Sequence, residues 1–165
     1  MTWASLHMIL LGSLLILSDH TSSAKKVSCI SEDKLTKRTG GFLRKYWNKT
    51  SLSKILDAPQ DAGTCEQAAM EMNGAVSSRA LSPWRFHLDR DENRFPIEIS
   101  FAECLCEGCI IKKRHEMAYN SVLVFAELMV LKKTPCPYDP TQHVVRKEFI
   151  KVPVACTCVV PKYAK

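Results

Sequence analysis

The spacing of apolar residues along this chain changes at Leu81, and the change divides it in two. From Leu81 onward, β-branched and aromatic residues gather in runs, Trp84 to Leu88, Ile97 to Cys106, Asn120 to Leu131 and Val144 to Val160. Turn formers separate them: the charged stretch Asp89 to Asn93 lies between the first two, and Pro135 to Pro140 between the last two. Such a pattern predicts strands and an all-β domain over 81–165. In the last run Ile150, Val152, Val154, Cys156, Cys158 and Val160 fall on one face, with Lys147, Lys151 and Thr157 on the other. Asn120 to Leu131 is almost continuously apolar, which in a strand means burial on both faces or burial in a partner. Upstream, 25–80 has little strand character and is broken by Gly40-Gly41, Ala58-Pro59 and Asp61-Ala62-Gly63. An irregular N-terminal extension is expected there, with one short helix over Glu66 to Met72, capped by Thr64 with Gln67 three residues on.

The first residues carry a different signal. An apolar run, Met8 to Leu17, leads to the small residues Ser22-Ser23-Ala24, as in a secretory signal peptide over 1–24 cut after Ala24, although Met1 to His7 lacks a Lys or Arg. The run is far shorter than the roughly 20 residues a membrane span requires. Val122 to Leu131 is also short and carries Glu127, so no membrane insertion is expected and the product is placed outside the cell.

All eight cysteines lie downstream of Ala24. Five fall in two pieces, Cys104, Cys106 and Cys109 in one and Cys156 and Cys158 in the other. In a strand, Cα atoms two residues apart are roughly 6.6 Å apart, with Cβ vectors poorly set for a bridge, so Cys156 and Cys158 must each reach another segment. Cys104 and Cys109 are the obvious donors, since Glu107-Gly108 lets the chain bend between them. Closely spaced thiolates also suit zinc or copper. An oxidising secretory route selects the disulfide framework, and eight cysteines still allow on the order of 100 connectivities. Asn48-Lys49-Thr50 is a glycan acceptor sequence.

The formal charge is +6, and it rises by one when a leader holding one acid and no Lys or Arg is removed. The cations are scattered in short groups, such as Lys112-Lys113-Arg114 and Lys132-Lys133, which fits a solvated surface with a weak affinity for sulphated glycans. Nothing resembles a nucleic-acid-binding motif. The five histidines fall in no metal spacing, and only His87 with Glu103 could be imagined as a catalytic pair. Neither an enzyme nor a cofactor is expected.

Several motifs occur in a fixed order: Ser82-Pro83-Trp84-Arg85, Arg94-Phe95-Pro96, Ala102-Glu103-Cys104-Leu105-Cys106, Gly108-Cys109-Ile110, Asn120-Ser121-Val122 and Cys156-Thr157-Cys158-Val159. Together they make the chain resemble the interleukin-17 cytokines over Leu81 to Lys162. Phe149 to Lys162, with Cys29 and Cys65 upstream, looks most like the C branch of that family, while Ser78 to Trp84 and Leu88 to Asp91 look like the E branch. The resemblance implies a cystine-knot-like fold of long antiparallel strands, and a homodimer that pairs interleukin-17 receptors, E-type with A-type for the C branch. It also implies bridges Cys104–Cys156 and Cys109–Cys158, an inter-chain bond of Cys136 with Cys29, and Cys65–Cys106 within one chain. A rival cystine-knot growth factor or antagonist would carry C-x-G-x-C, where this chain has four residues between Cys104 and Cys109. For receptor contact Trp84 is the preferred anchor, extended by Phe86, Arg94 and Phe95, each with a competing role in plain packing or as a solvated charge.

Overall fold

The computed structural model describes residues 28–47 and 63–162; the expected leader and the Asn48 acceptor lie outside the described residues. In chain order the elements are β1 (Cys29–Ile30), α1 (Glu32–Phe42), a π-helical turn (Leu43–Trp47), α2 (Cys65–Glu71), α3 (Val76–Arg79), β2 (Trp84–Arg90), β3 (Arg94–Phe95), β4 (Glu98–Cys104), β5 (Cys109–Ile111), β6 (Arg114–Glu116), β7 (Asn120–Cys136) and β8 (Asp139–Val159). Strands dominate, all pairing is antiparallel, and four disulfides cross-link them, so the fold is all-β, disulfide-rich and cystine-knot-like.

The axis is the β7–β8 ribbon, whose strands run 17 and 21 residues. β1 pairs with β8 and β3 with β7, giving the order β1-β8-β7-β3, while β2–β4 and β5–β6 form separate two-stranded sheets. The ribbon is interrupted once in mid-length. Val124 pairs with Ala155 but Phe125 pairs with Pro153, leaving Val154 without an opposite number. Pro153 has no N–H for the ladder, and a bulge beside it is how a long strand accommodates that loss.

The continuous apolar run in β7 meets both of its expected fates. Val130 and Leu131 point to opposite faces and both are buried. Val130 packs with Ile99 and Val152, whereas Leu131 packs with Val145, Leu35 and Phe42. Val122 to Phe125, in contrast, are 37–54% exposed.

The extension holds more structure than its glycines suggest. α1 buries Leu35, Thr39 and Phe42 against the sheet, and Trp47 Nε1 donates to the Met129 carbonyl at 3.1 Å. Acidic Glu32 and Asp33 occupy its first turn, where the helix dipole favours them. α2 forms where expected: Thr64 Oγ1 accepts from the Gln67 N–H, and Gln67 Oε1 accepts from the Thr64 N–H, a closed capping box. It stops at Met72, which takes the left-handed conformation with φ 31°.

Candidate functional site

The rigid part of the molecule is the junction of β4, β5 and β8. Cys104–Cys156 and Cys109–Cys158 tie the end of β4 and the start of β5 to the last part of β8, with Cα separations of 5.7 and 5.9 Å. The loop between them is held on both sides. Leu105 N–H donates to the Pro83 carbonyl, Ile110 N–H to Leu81, and Ser121 supplies its N–H to Glu107 and its hydroxyl to Gly108. Cys109 is fully buried, with the Ser82 hydroxyl 3.6 Å from its sulphur. A side chain at Gly108 would strike the Glu116 carbonyl oxygen, so only glycine lets the β6 backbone close over this loop.

Cys65–Cys106 fastens α2 to the same junction, with Cα atoms 5.0 Å apart, and Ala68, Ala69, Cys106 and Ile110 pack beneath it. The fourth bridge joins Cys29 and Cys136, the two cysteines expected to pair between copies; in the single chain described here they bond to each other, with Cα atoms 5.7 Å apart.

The four residues expected at a receptor contact separate into two groups. Trp84 and Phe86 lie two apart on β2 and line, with Arg85, a cleft of about 580 Å³ bounded by α2, α3 and Leu105. Trp84 Nε1 is buried without a hydrogen-bond partner. Arg94 and Phe95 sit on β3, beside β7. Arg94 has a side chain only 5% exposed, and four of its five N–H groups are engaged. They reach Asp89 Oδ2 at 2.6 Å, the Asp89 carbonyl at 2.8 Å, and the Pro96 and Ile97 carbonyls at 3.2 Å. A buried guanidinium so engaged pins the β2–β4 turn. Phe95 packs on the α1 cluster.

The imagined His87–Glu103 pair does not form a hydrogen bond in this structure. His87 meets the Phe101 ring edge-on, and Glu103 accepts from Arg85 Nε at 2.9 Å. That bond is the main reason the Glu103 carboxyl is held below the usual range, with burial opposing it weakly. Cys65, Cys106 and His115 bring their ligand atoms within 4.8 Å of one another, but both sulphurs are in the disulfide, and His115 Nε2 accepts from the Gly108 N–H at 3.0 Å. As folded, this group offers no thiolate.

The apolar run expected to be buried in the core or in a partner is open over its first part. Val122, Leu123, Val124 and Phe125 on β7 are exposed on both faces of the ribbon, Val122 and Val124 on one and Leu123 and Phe125 on the other, and Phe149 farther along β8 is 67% exposed. The second meaning of such a run, burial in a partner, is the one that sequence alone left open.

Comparison with known proteins places these features in a family context. A family model described as Interleukin-17 matches residues 80–160. Mouse Interleukin-17C is 47% identical over 92 residues, covering 51% of this chain and 47% of the relative. Human Interleukin-25 is 33% identical over 103 residues, covering 59% of this chain and 58% of the relative. Human Interleukin-17B is 31% identical over 132 residues, covering 76% of this chain and 73% of the relative. This last match is longer than the β domain and therefore runs into the N-terminal extension. The chain spans about half the length of the Interleukin-17C relatives it matches.

Proposed function

Because this chain belongs to the interleukin-17 family, whose members are non-enzymatic signalling proteins, we propose that it is a secreted cytokine acting as a homodimer. It binds and pairs cell-surface interleukin-17 receptors and so triggers pro-inflammatory and epithelial defence signalling. Likeness to Interleukin-17C favours an E-type receptor paired with an A-type one. The mature chain begins after Ala24, the extension runs over 25–80, and the cytokine domain over 81–165.

The observation that carries this is the apolar start of β7, exposed on both faces of the ribbon. Four consecutive apolar residues, each more than a third exposed, are unusual on an isolated chain, and a second copy covers them most simply. Two copies present two identical receptor surfaces, which is what pairing requires. Trp84 and Phe86, lining the cleft beside the rigid junction, are the receptor anchors of choice. The cationic surface adds affinity for sulphated glycans.

Binding of the secreted chain to immobilised E-type and A-type receptor ectodomains, separately and together, tests the assignment. Capture of both by one ligand is the expected result; failure to bind either would overturn it. Trp84→Phe keeps the ring but removes a donor that has no partner, so folding stability should stay within about 1 kcal/mol while Trp84→Ala weakens receptor binding by tenfold or more, on the order of a hot-spot contact.

A further inference from the structure

Among the described residues, the cations held over aromatic rings all lie along one side of the four-stranded sheet. Lys45 Nζ is 5.3 Å and Lys147 Nζ 5.4 Å from the centroid of the same ring, Tyr46, and Lys133 Nζ is 5.8 Å from the Phe95 ring. Strand register explains the grouping. Phe95, Leu131 and Lys147 lie in one row across β3, β7 and β8, and Lys133 pairs with Val145 in the next row on the same face. Lys133 and Lys147 are thus diagonal neighbours, roughly 7–8 Å apart at the backbone. Tyr46 and Phe95 both pack on the Leu35–Phe42–Leu131–Val145 cluster, so the platforms under the ammonium groups belong to the core.

These three lysines have no carboxylate partner among the described residues. Arg85, Arg90 and Arg94 each hold a carboxylate, and Lys132, on the opposite face, stands 3.7 Å from Asp91; what sets the strip apart from the other unpaired cations is its seating on aromatic rings. Like charges collected without counter-ions raise the local potential and repel one another, an arrangement that a bound polyanion relieves.

We infer that this strip, Lys45, Lys147 and Lys133 seated on Tyr46 and Phe95, is the docking site for a sulphated polysaccharide. The inference rests on the glycan affinity proposed above and gives it a place. Lysine ammonium groups are point charges that donate to sulphate oxygens in many directions, whereas recognition of peptide carboxylates favours arginine forks, which the strip lacks. The cleft bounded by α2 and α3 lies elsewhere, so the strip suits a linear chain laid across it and not an inserted side chain.

The test uses the full secreted chain and heparin oligosaccharides on a sensor surface at about 0.15 M salt. Lys45→Gln/Lys133→Gln/Lys147→Gln should weaken binding about tenfold or more and reduce the salt dependence by about one unit of slope per lysine. Replacement of the same three by Arg should restore it. Lys112→Gln/Lys113→Gln/Arg114→Gln, in and beside the exposed β5–β6 turn, removes the same charge and should change affinity less than twofold. If that control weakens binding as much as the triple variant, the strip is wrong and only general charge attraction stands. If the unaltered chain ignores heparin, the glycan affinity itself fails and the strip with it. If polyglutamate binds the strip as tightly as heparin does, the ligand class is wrong. Thermal melts of each variant confirm that the fold is intact.

Discussion

At the scale of single residues, Arg94 shows how a side chain chosen for recognition turns out to serve the frame. Its guanidinium satisfies three backbone carbonyls and the Asp89 carboxylate in a turn that would otherwise hold unpaired acceptors. Arg94→Ala is therefore expected to cost about 3 kcal/mol, read from denaturant melts, and Arg94→Lys to recover little of it, because a single ammonium cannot span the fork. Glu103 shows the opposite case, a surface pair of small effect. Its carboxyl is held below the usual range chiefly by the Arg85 hydrogen bond, so the pair stabilises the fold above the ordinary carboxylate pKa and ceases to do so as pH falls through the lowered value. Both partners are more than 40% exposed, which limits the contribution to about 0.5 kcal/mol or less. Glu103→Gln should accordingly cost that much at pH 7 and nothing at pH 2, in melts of the two proteins side by side. Neither outcome was legible in the sequence, which offered Arg94 for receptor contact and Glu103 only as an imagined partner of His87, because the bonds that occupy them come from Asp89 and Arg85 across a turn and a strand pair.

At the scale of elements, strand positions were easier to read than helices. The runs ending in Cys106 and Val160 announce β4 and β8, and Thr64 with Gln67 announces α2 through its cap. α1 was masked by Gly40-Gly41, yet Leu35, Thr39, Phe42 and Tyr46 recur at helical spacing and three of them are buried. The glycines outweighed the period in the reading of the sequence; the packing on Leu131 and Val145 outweighs them in the structure. α2 is seven residues long, too short to persist alone, and depends on its capping box and on Cys65–Cys106. Cys65→Ser/Cys106→Ser should release it: amide exchange across 65–71 rises toward that of an unfolded segment, while protection in β7 and β8 persists. Equal loss of protection in the ribbon would mean that this bridge supports the whole fold and not one helix.

At the scale of the molecule, the disulfides divide the labour. Two lock the junction of β4, β5 and β8, one carries α2, and Cys29–Cys136 encloses the chain between β1 and the end of β7, a separation of 107 residues. The family's cysteine spacing made the four pairings readable in the sequence. The exposed band at Val122 to Phe125 is where two copies would meet, and Phe125→Glu should give a folded monomer by light scattering, with receptor binding weakened by loss of the second contact. Every cysteine of the chain is taken up in a bridge. A chain framed this way holds its shape only in oxidising surroundings, so a reductant is expected to silence it by loosening the frame and not by masking the surface it presents.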